Sequence, residues 1–149
     1  MRLSWDDVPT SVRSAVEGVC GSAVVSATGQ RGGFSPGVAS RVVCASGTPA
    51  FVKLVPQSYA HTAELHCAEI AALQALSGLD LPAPRLLGAV ETGGWTGLVV
   101  TDVEGRTPAL PWRDQELAKV LAAAERVGST AAPRALPTAG DLLADQFSG

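Results

Sequence analysis

Lys53 stands alone in an apolar run, Phe51-Val52-Lys53-Leu54-Val55, whose other side chains prefer to leave water. On a wheel at about 100° per residue, the apolar stripe of the helical segment His61–Ser77 is centred near Leu65 and Leu76, and Glu69 falls inside it, about 40° from Leu65. Glu64 lies at the stripe's edge on the other side. Removing an ionised carboxylate from water is costly unless a cation meets it, so Glu69 calls for a partner and Lys53 is the obvious one. A buried Lys–Glu pair adds little net stability; its use would be to hold an ammonium where an anion docks. The plainer reading is that Lys53 points from the wet face of an antiparallel sheet and Glu69 reaches solvent from the helix edge. For the pair to be accidental, both must hold at once.

Upstream lies a glycine cluster, Gly32-Gly33-Phe34-Ser35-Pro36-Gly37. Glycines there let the backbone reach positive φ and turn successive N–H groups inward, a geometry that suits phosphate oxygens, and Ser35 adds a hydroxyl donor. The cluster is neither GxGxxG nor the GxxxxGK[ST] of a P-loop, and as a plain hairpin loop it needs no ligand. Followed by a lysine one strand later and an acidic helix after that, it stands in the order of a kinase nucleotide site.

The elements that must position these residues are legible from punctuation and periodicity. Asp7 or Thr10, with Pro9, opens a helix over 8–19 that Gly21 breaks. Strands follow at Ala23–Thr28, Ser40–Ala45 and Ala50–Val55, the last two joined by the turn Ser46-Gly47-Thr48-Pro49 as an antiparallel hairpin. After the helix over 61–77 come strands at Arg85–Glu91 and Trp95–Thr101 around Gly93-Gly94. Gly105, Pro108 and Pro111 mark a linker, Asp114–Val127 a second long helix, and Gly140–Phe147 the start of another, with an apolar face at Leu142, Leu143 and Phe147.

With these residues in order, the chain resembles the aminoglycoside phosphotransferase and choline kinase-like family, which is similar in fold to protein kinases. The resemblance runs through "GGFS", "FVK", "EIAALQAL" with its leading Glu69, "LPAPRLLG", "LVVTDVEG" and "TPALPW", and rests on their order and spacing. It implies an α+β, protein-kinase-like amino-terminal lobe over 1–104, a five-stranded antiparallel sheet over 23–101 with one packed helix. A linker and the first helices of a second lobe would occupy 105–149. It also implies that Lys53 holds the α/β-phosphates of ATP or GTP, that Glu69 orients Lys53, and that Gly32, Gly33, Phe34 and Ser35 cover the phosphates. Val25 and Val43 would wall the base, and Thr101, Asp102 and Val103 would be the hinge facing its edge. A buried strand that runs into Gly105 and prolines does expose backbone polar groups just beyond its end, as a hinge requires. The chain departs from the pattern at Pro36, which removes one N–H from the loop, and at Phe51, where protein kinases keep a small residue.

Phosphoryl transfer also needs a residue to position the attacking hydroxyl and ligands for Mg²⁺. In the family these come from an "HGD…N" type loop and a later Asp. The two histidines here, His61 and His66, are not followed two residues later by Asp, and Asp114, Glu116, Glu125, Asp141 and Asp145 occupy surface-like helix positions. The expectation is therefore a nucleotide-binding lobe without its catalytic half and without kinase turnover by itself. The acceptor, a small-molecule hydroxyl, would be read elsewhere, and the fragment is expected to pair with a second copy through the hinge side and the Leu142–Phe147 face.

Bulk composition agrees with a single folded unit or a lobe of a larger one: 149 residues, 46% hydrophobic, net charge −3. Nothing in that balance draws the chain to nucleic acid or to an anionic membrane. Cys20, Cys44 and Cys67 form no CxxC pair, so neither a zinc knuckle nor a disulfide framework is read, and a reducing, cytoplasmic setting is the default. His61, His66 and Cys67 lack metal-site spacing. Trp5, Trp95 and Trp112 read as packing residues. Two other functions remain: a non-catalytic nucleotide-binding or regulatory module, and a plain α+β interaction domain.

Overall fold

The computed structural model describes residues 3–30 and 36–138. Gly32, Gly33, Phe34, Ser35 and the Leu142–Phe147 face lie outside the described residues. The architecture is α+β, with a five-stranded antiparallel sheet and, among the described residues, three α-helices. The elements run α1 (Thr10–Cys20), β1 (Val24–Gly29), β2 (Val38–Cys44), β3 (Pro49–Pro56), α2 (Ala60–Ala75), β4 (Leu86–Thr92), β5 (Trp95–Thr101) and α3 (Asp114–Ser129), after a 3-10 turn at Trp5–Asp7. The strand order is β1-β2-β3-β5-β4.

Alternation along β2 and β3 assigns the sheet's two faces. Val38, Val42, Ala50, Val52 and Leu54 point to one side and are buried there with Val90, Trp95 and Val99. Val8 with Val12 and Val16 of α1 completes that core, at the four-residue spacing that keeps side chains on one helix face. Gly21 ends α1 at φ 68, a conformation that glycine adopts without a Cβ clash. Glu17 then ties the exit, its carboxylate accepting from the Val24 N–H at 3.0 Å. α1 lies close to β4 at Gly88, where an added Cβ would stand 2.8 Å from a Val19 methyl.

The second face carries Arg41, Phe51, Lys53, Val55, Thr96, Leu98 and Val100. This face is covered in part: Val55 and Leu98 are fully buried and Val100 nearly so, while Lys53 and Arg41 keep part of their side chains in solvent. Lys53 is therefore a half-covered, paired lysine and not one on a fully solvated sheet face.

α2 corrects the helical wheel. Leu65 is 50% exposed, while Thr62 and His66 are buried and Glu69, Ile70 and Leu73 are half-buried. The helix turns its Thr62–His66–Glu69 side inward, because its apolar residues are spread almost evenly around the axis and contact with the sheet decides the face. No helix among the described residues is long and apolar enough to cross a membrane.

Contacts divide the chain into two compact units, residues 1–74 with 83–105, and 75–82 with 106–149. The first holds the sheet, α1 and most of α2. In the second, Arg126 of α3 pairs with Asp80, and Glu116 receives the Ala109 N–H at 2.8 Å and pairs with Arg106. Glu116 is thus no solvated helix acid: its side chain is 16% exposed and it pins the segment before α3. The Ala109 N–H, with Arg106 beside it, holds the Glu116 carboxyl below the usual glutamate range.

Candidate functional site

Lys53 sits at the middle of β3, paired with Ala39 of β2 and Leu98 of β5. Its ammonium donates to both oxygens of Glu69, at 2.6 and 2.9 Å. Each side chain of the pair remains 34% exposed. An ammonium held by one carboxylate and still open to solvent keeps a direction from which an anionic oxygen can approach, since –NH₃⁺ has three donors. The sequence therefore reached this pair correctly, although by way of a helix face that the structure does not bury.

A hollow of about 270 Å³ opens beside the pair, lined by Arg41, Phe51, Lys53, Glu69, Pro84, Val100, Thr101, Asp102 and Val103. It brings together Lys53, Glu69, Thr101, Asp102 and Val103 of the expected site. It does not include the two expected apolar walls. Val25 falls at a bulge in edge strand β1, is 64% exposed, and lines a different hollow with Ser4, Trp5, Asp6 and Arg13. Val43 is opposite Pro49 at the end of the β2–β3 ladder, two pairs beyond Arg41 and too far from the lysine.

The residue opposite Phe51 is Arg41. Its Nε donates to Asp102 Oδ1 at 2.7 Å and its Nη2 to the Val103 carbonyl at 3.0 Å. Asp102 is the more enclosed partner, with a side chain 10% exposed against 40% for Arg41. Sequence reasoning missed Arg41, yet the signal was present. The Ser46–Pro49 turn fixes the hairpin register, and counting back from it places Arg41 on the rung two residues before Lys53. The Lys53–Glu69 end of the hollow presents a positioned positive charge. At the other end the Arg41 guanidinium occupies the Val103 carbonyl.

His66, one turn before Glu69, is the second residue without a sequence-based role. It is buried against Thr96 of β5, and its Nδ1 has no hydrogen-bond partner among the described residues. Burial pushes its pKa below the usual imidazole value, and Lys53 nearby adds to that; a hydrogen bond to the Thr96 backbone and the Glu69 charge oppose it. With the folded-state pKa depressed, the unfolded chain takes up a proton first as pH falls below about 6.5, so the stability from neutral His66 is present above that pH and is lost on acidification. Thermal melts are expected to show a steeper loss between about pH 7.5 and 5.5 for the wild type than for His66→Gln and His66→Leu. Parallel slopes in all three would remove His66 from this account.

Cys20 and Cys44, distant in sequence, meet where α1 ends and β2 ends, because Val24, just after the α1 turn, pairs with Cys44. Burial first, then the hydrogen bond to Cys44, pushes the Cys20 thiol up to about 12. It stays protonated at neutral pH and is a poor nucleophile there. No group of three or more His, Cys, Asp or Glu among the described residues is placed to hold a metal ion. No protein-family model, curated protein or solved structure matches the chain, so the site stands on its own geometry.

Proposed function

We propose that this chain is the nucleotide-binding lobe of a small-molecule phosphotransferase of the aminoglycoside phosphotransferase type, with Lys53 receiving the phosphates of ATP or GTP. The observation that carries the reading is the Lys53 ammonium held by both Glu69 oxygens beside an open hollow. Supporting it are the strand order β1-β2-β3-β5-β4 and the placement of α2 between β3 and β4, which delivers the carboxylate to the lysine. These are the features that a protein-kinase-like amino-terminal lobe requires. A bound nucleotide would supply the transferable phosphoryl group, and Mg²⁺ in the complete enzyme would help to neutralise its charge. The chain's own part is electrostatic: Lys53 offers a positioned positive charge, and Glu69 keeps it from collapsing onto another partner.

A second reading, a non-catalytic nucleotide-binding or regulatory module, is favoured by Arg41, which occupies the hinge end of the hollow.

Thermal unfolding with ATP, GTP and their Mg²⁺ complexes tests the shared part of both. A ligand at 100 times its Kd stabilises by about 2.7 kcal/mol. A rise of several degrees at about millimolar nucleotide is therefore expected, and no shift at that concentration would leave the chain a plain α+β interaction domain.

A further inference from the structure

The hinge end of the hollow is closed by a charged latch rather than an apolar wall. Arg41 reaches from β2 across to the end of β5 and takes two acceptors there, the Asp102 carboxylate and the Val103 carbonyl. Directly opposite on β3 stands Phe51, so both strands present bulk on the same rung. A purine amine brought to Val103 would meet an oxygen already accepting a guanidinium N–H. Asp102 is nearly enclosed while Arg41 keeps much of its side chain in solvent, so the arginine is the partner free to leave. Among the described residues the Lys53 end of the same hollow has no such obstruction, and its ammonium is engaged by Glu69 alone.

We propose that Arg41 is the specificity-determining residue of this site: latched to Asp102 and Val103, it admits a phosphate chain at Lys53 and excludes the nucleobase, which enters only when the arginine swings out. The inference rests on the phosphate-binding reading of Lys53 given above. Its consequence is a population cost: a nucleotide's base contributes affinity only in the fraction of molecules with the latch open. In the closed form ATP, GTP and inorganic tripolyphosphate are equivalent ligands, because each presents the same phosphate chain.

The test is calorimetric titration of the full chain with ATP, GTP and inorganic tripolyphosphate, using wild type, Arg41→Ala and Arg41→Lys. Because Arg41→Ala leaves Asp102 enclosed without its cation, the double variant Arg41→Ala/Asp102→Asn is titrated alongside, and melts confirm that each variant folds. The wild type is expected to bind ATP and tripolyphosphate within about threefold of each other, and the double variant to gain about tenfold or more for ATP and GTP while tripolyphosphate stays within about twofold. An unchanged ratio of ATP to tripolyphosphate affinity overturns the latch, and so does weaker ATP binding in both Ala variants, which would make Arg41 a base-contacting residue. Tripolyphosphate that binds the wild type and is lost in Lys53→Ala keeps the phosphate reading intact whatever Arg41 does. Absence of binding by every ligand to every variant sinks both together.

Discussion

Replacing Lys53 with methionine is expected to remove triphosphate binding while leaving the fold in place. The substitution keeps an unbranched stem on β3 and deletes the ammonium. Hydrogen bonds to a charged group are worth about 1.5–3 kcal/mol, which corresponds to a fall in affinity of about 10- to 150-fold. Stability should respond far less. Both members of the Lys53–Glu69 pair are about one-third exposed, so solvent screens their attraction, and a pair of that kind contributes of the order of 0.2–1 kcal/mol. Glu69→Gln should fall between wild type and Lys53→Met in binding, since the amide still accepts from the ammonium but no longer fixes it by charge. Calorimetry and thermal melts on the same samples separate the two effects. A Lys53→Met variant that unfolds near room temperature, or that binds triphosphate as the wild type does, would contradict the role assigned to the pair.

The second large effect is expected at Gly97. It lies in β5 opposite Leu54 of β3, at the centre of the sheet. A Cβ there would overlap the Lys53 carbonyl and come within 2.9 Å of the Leu54 Cα. Those atoms are backbone and cannot rotate away, so β3 and β5 must separate. Gly97→Ala is expected to lose about 1–3 kcal/mol, the range for forced overpacking, and Gly97→Val more. In a domain of this size each kcal/mol lowers Tm by a few degrees, about 2–8 °C. Gly128 in α3 serves as the control. Among the described residues nothing lies within 4 Å of a Cβ at that position, so Gly128→Ala should be neutral or mildly stabilising by helix propensity. Equal melting temperatures for Gly97→Val and the wild type would mean that β5 does not press on β3 as described. Because Leu98, the next residue, pairs with Lys53, a displaced β5 should also weaken triphosphate binding in any Gly97 variant that folds.

What the sequence disclosed and what it withheld follow from the range of the forces involved. Strand limits and turns are local. Gly21, Gly47 and the Gly93-Gly94 pair all take positive φ, where glycine carries no penalty, and each stands where the chain's punctuation placed a break. The Lys53–Glu69 contact was legible because a lone charge in an apolar strand demands a partner wherever the chain supplies one. The buried face of α2 was not legible, since Ala, Leu, His and Cys surround that helix without choosing a side and only the sheet can choose. Glu116 was misread for a similar reason. Its position on α3 looks solvated, but the incoming segment folds back to give it the Ala109 N–H. Arg41 was overlooked because the base wall was sought by residue type at Val43 rather than by counting rungs back from the Ser46–Pro49 turn.

The most direct measurement is where a triphosphate lands. Amide and side-chain NMR of the full chain, titrated with ATP and with tripolyphosphate, should move Phe51, Lys53, Glu69 and Leu98, the pairing partner of Lys53, first, with Lys53 Nζ shifting most. Shifts confined to the hollow that Arg106, Arg113 and Lys119 line with Asp114 and Glu116, or to Arg13 in the hollow with Trp5, with Lys53 and Glu69 unmoved, would contradict the site.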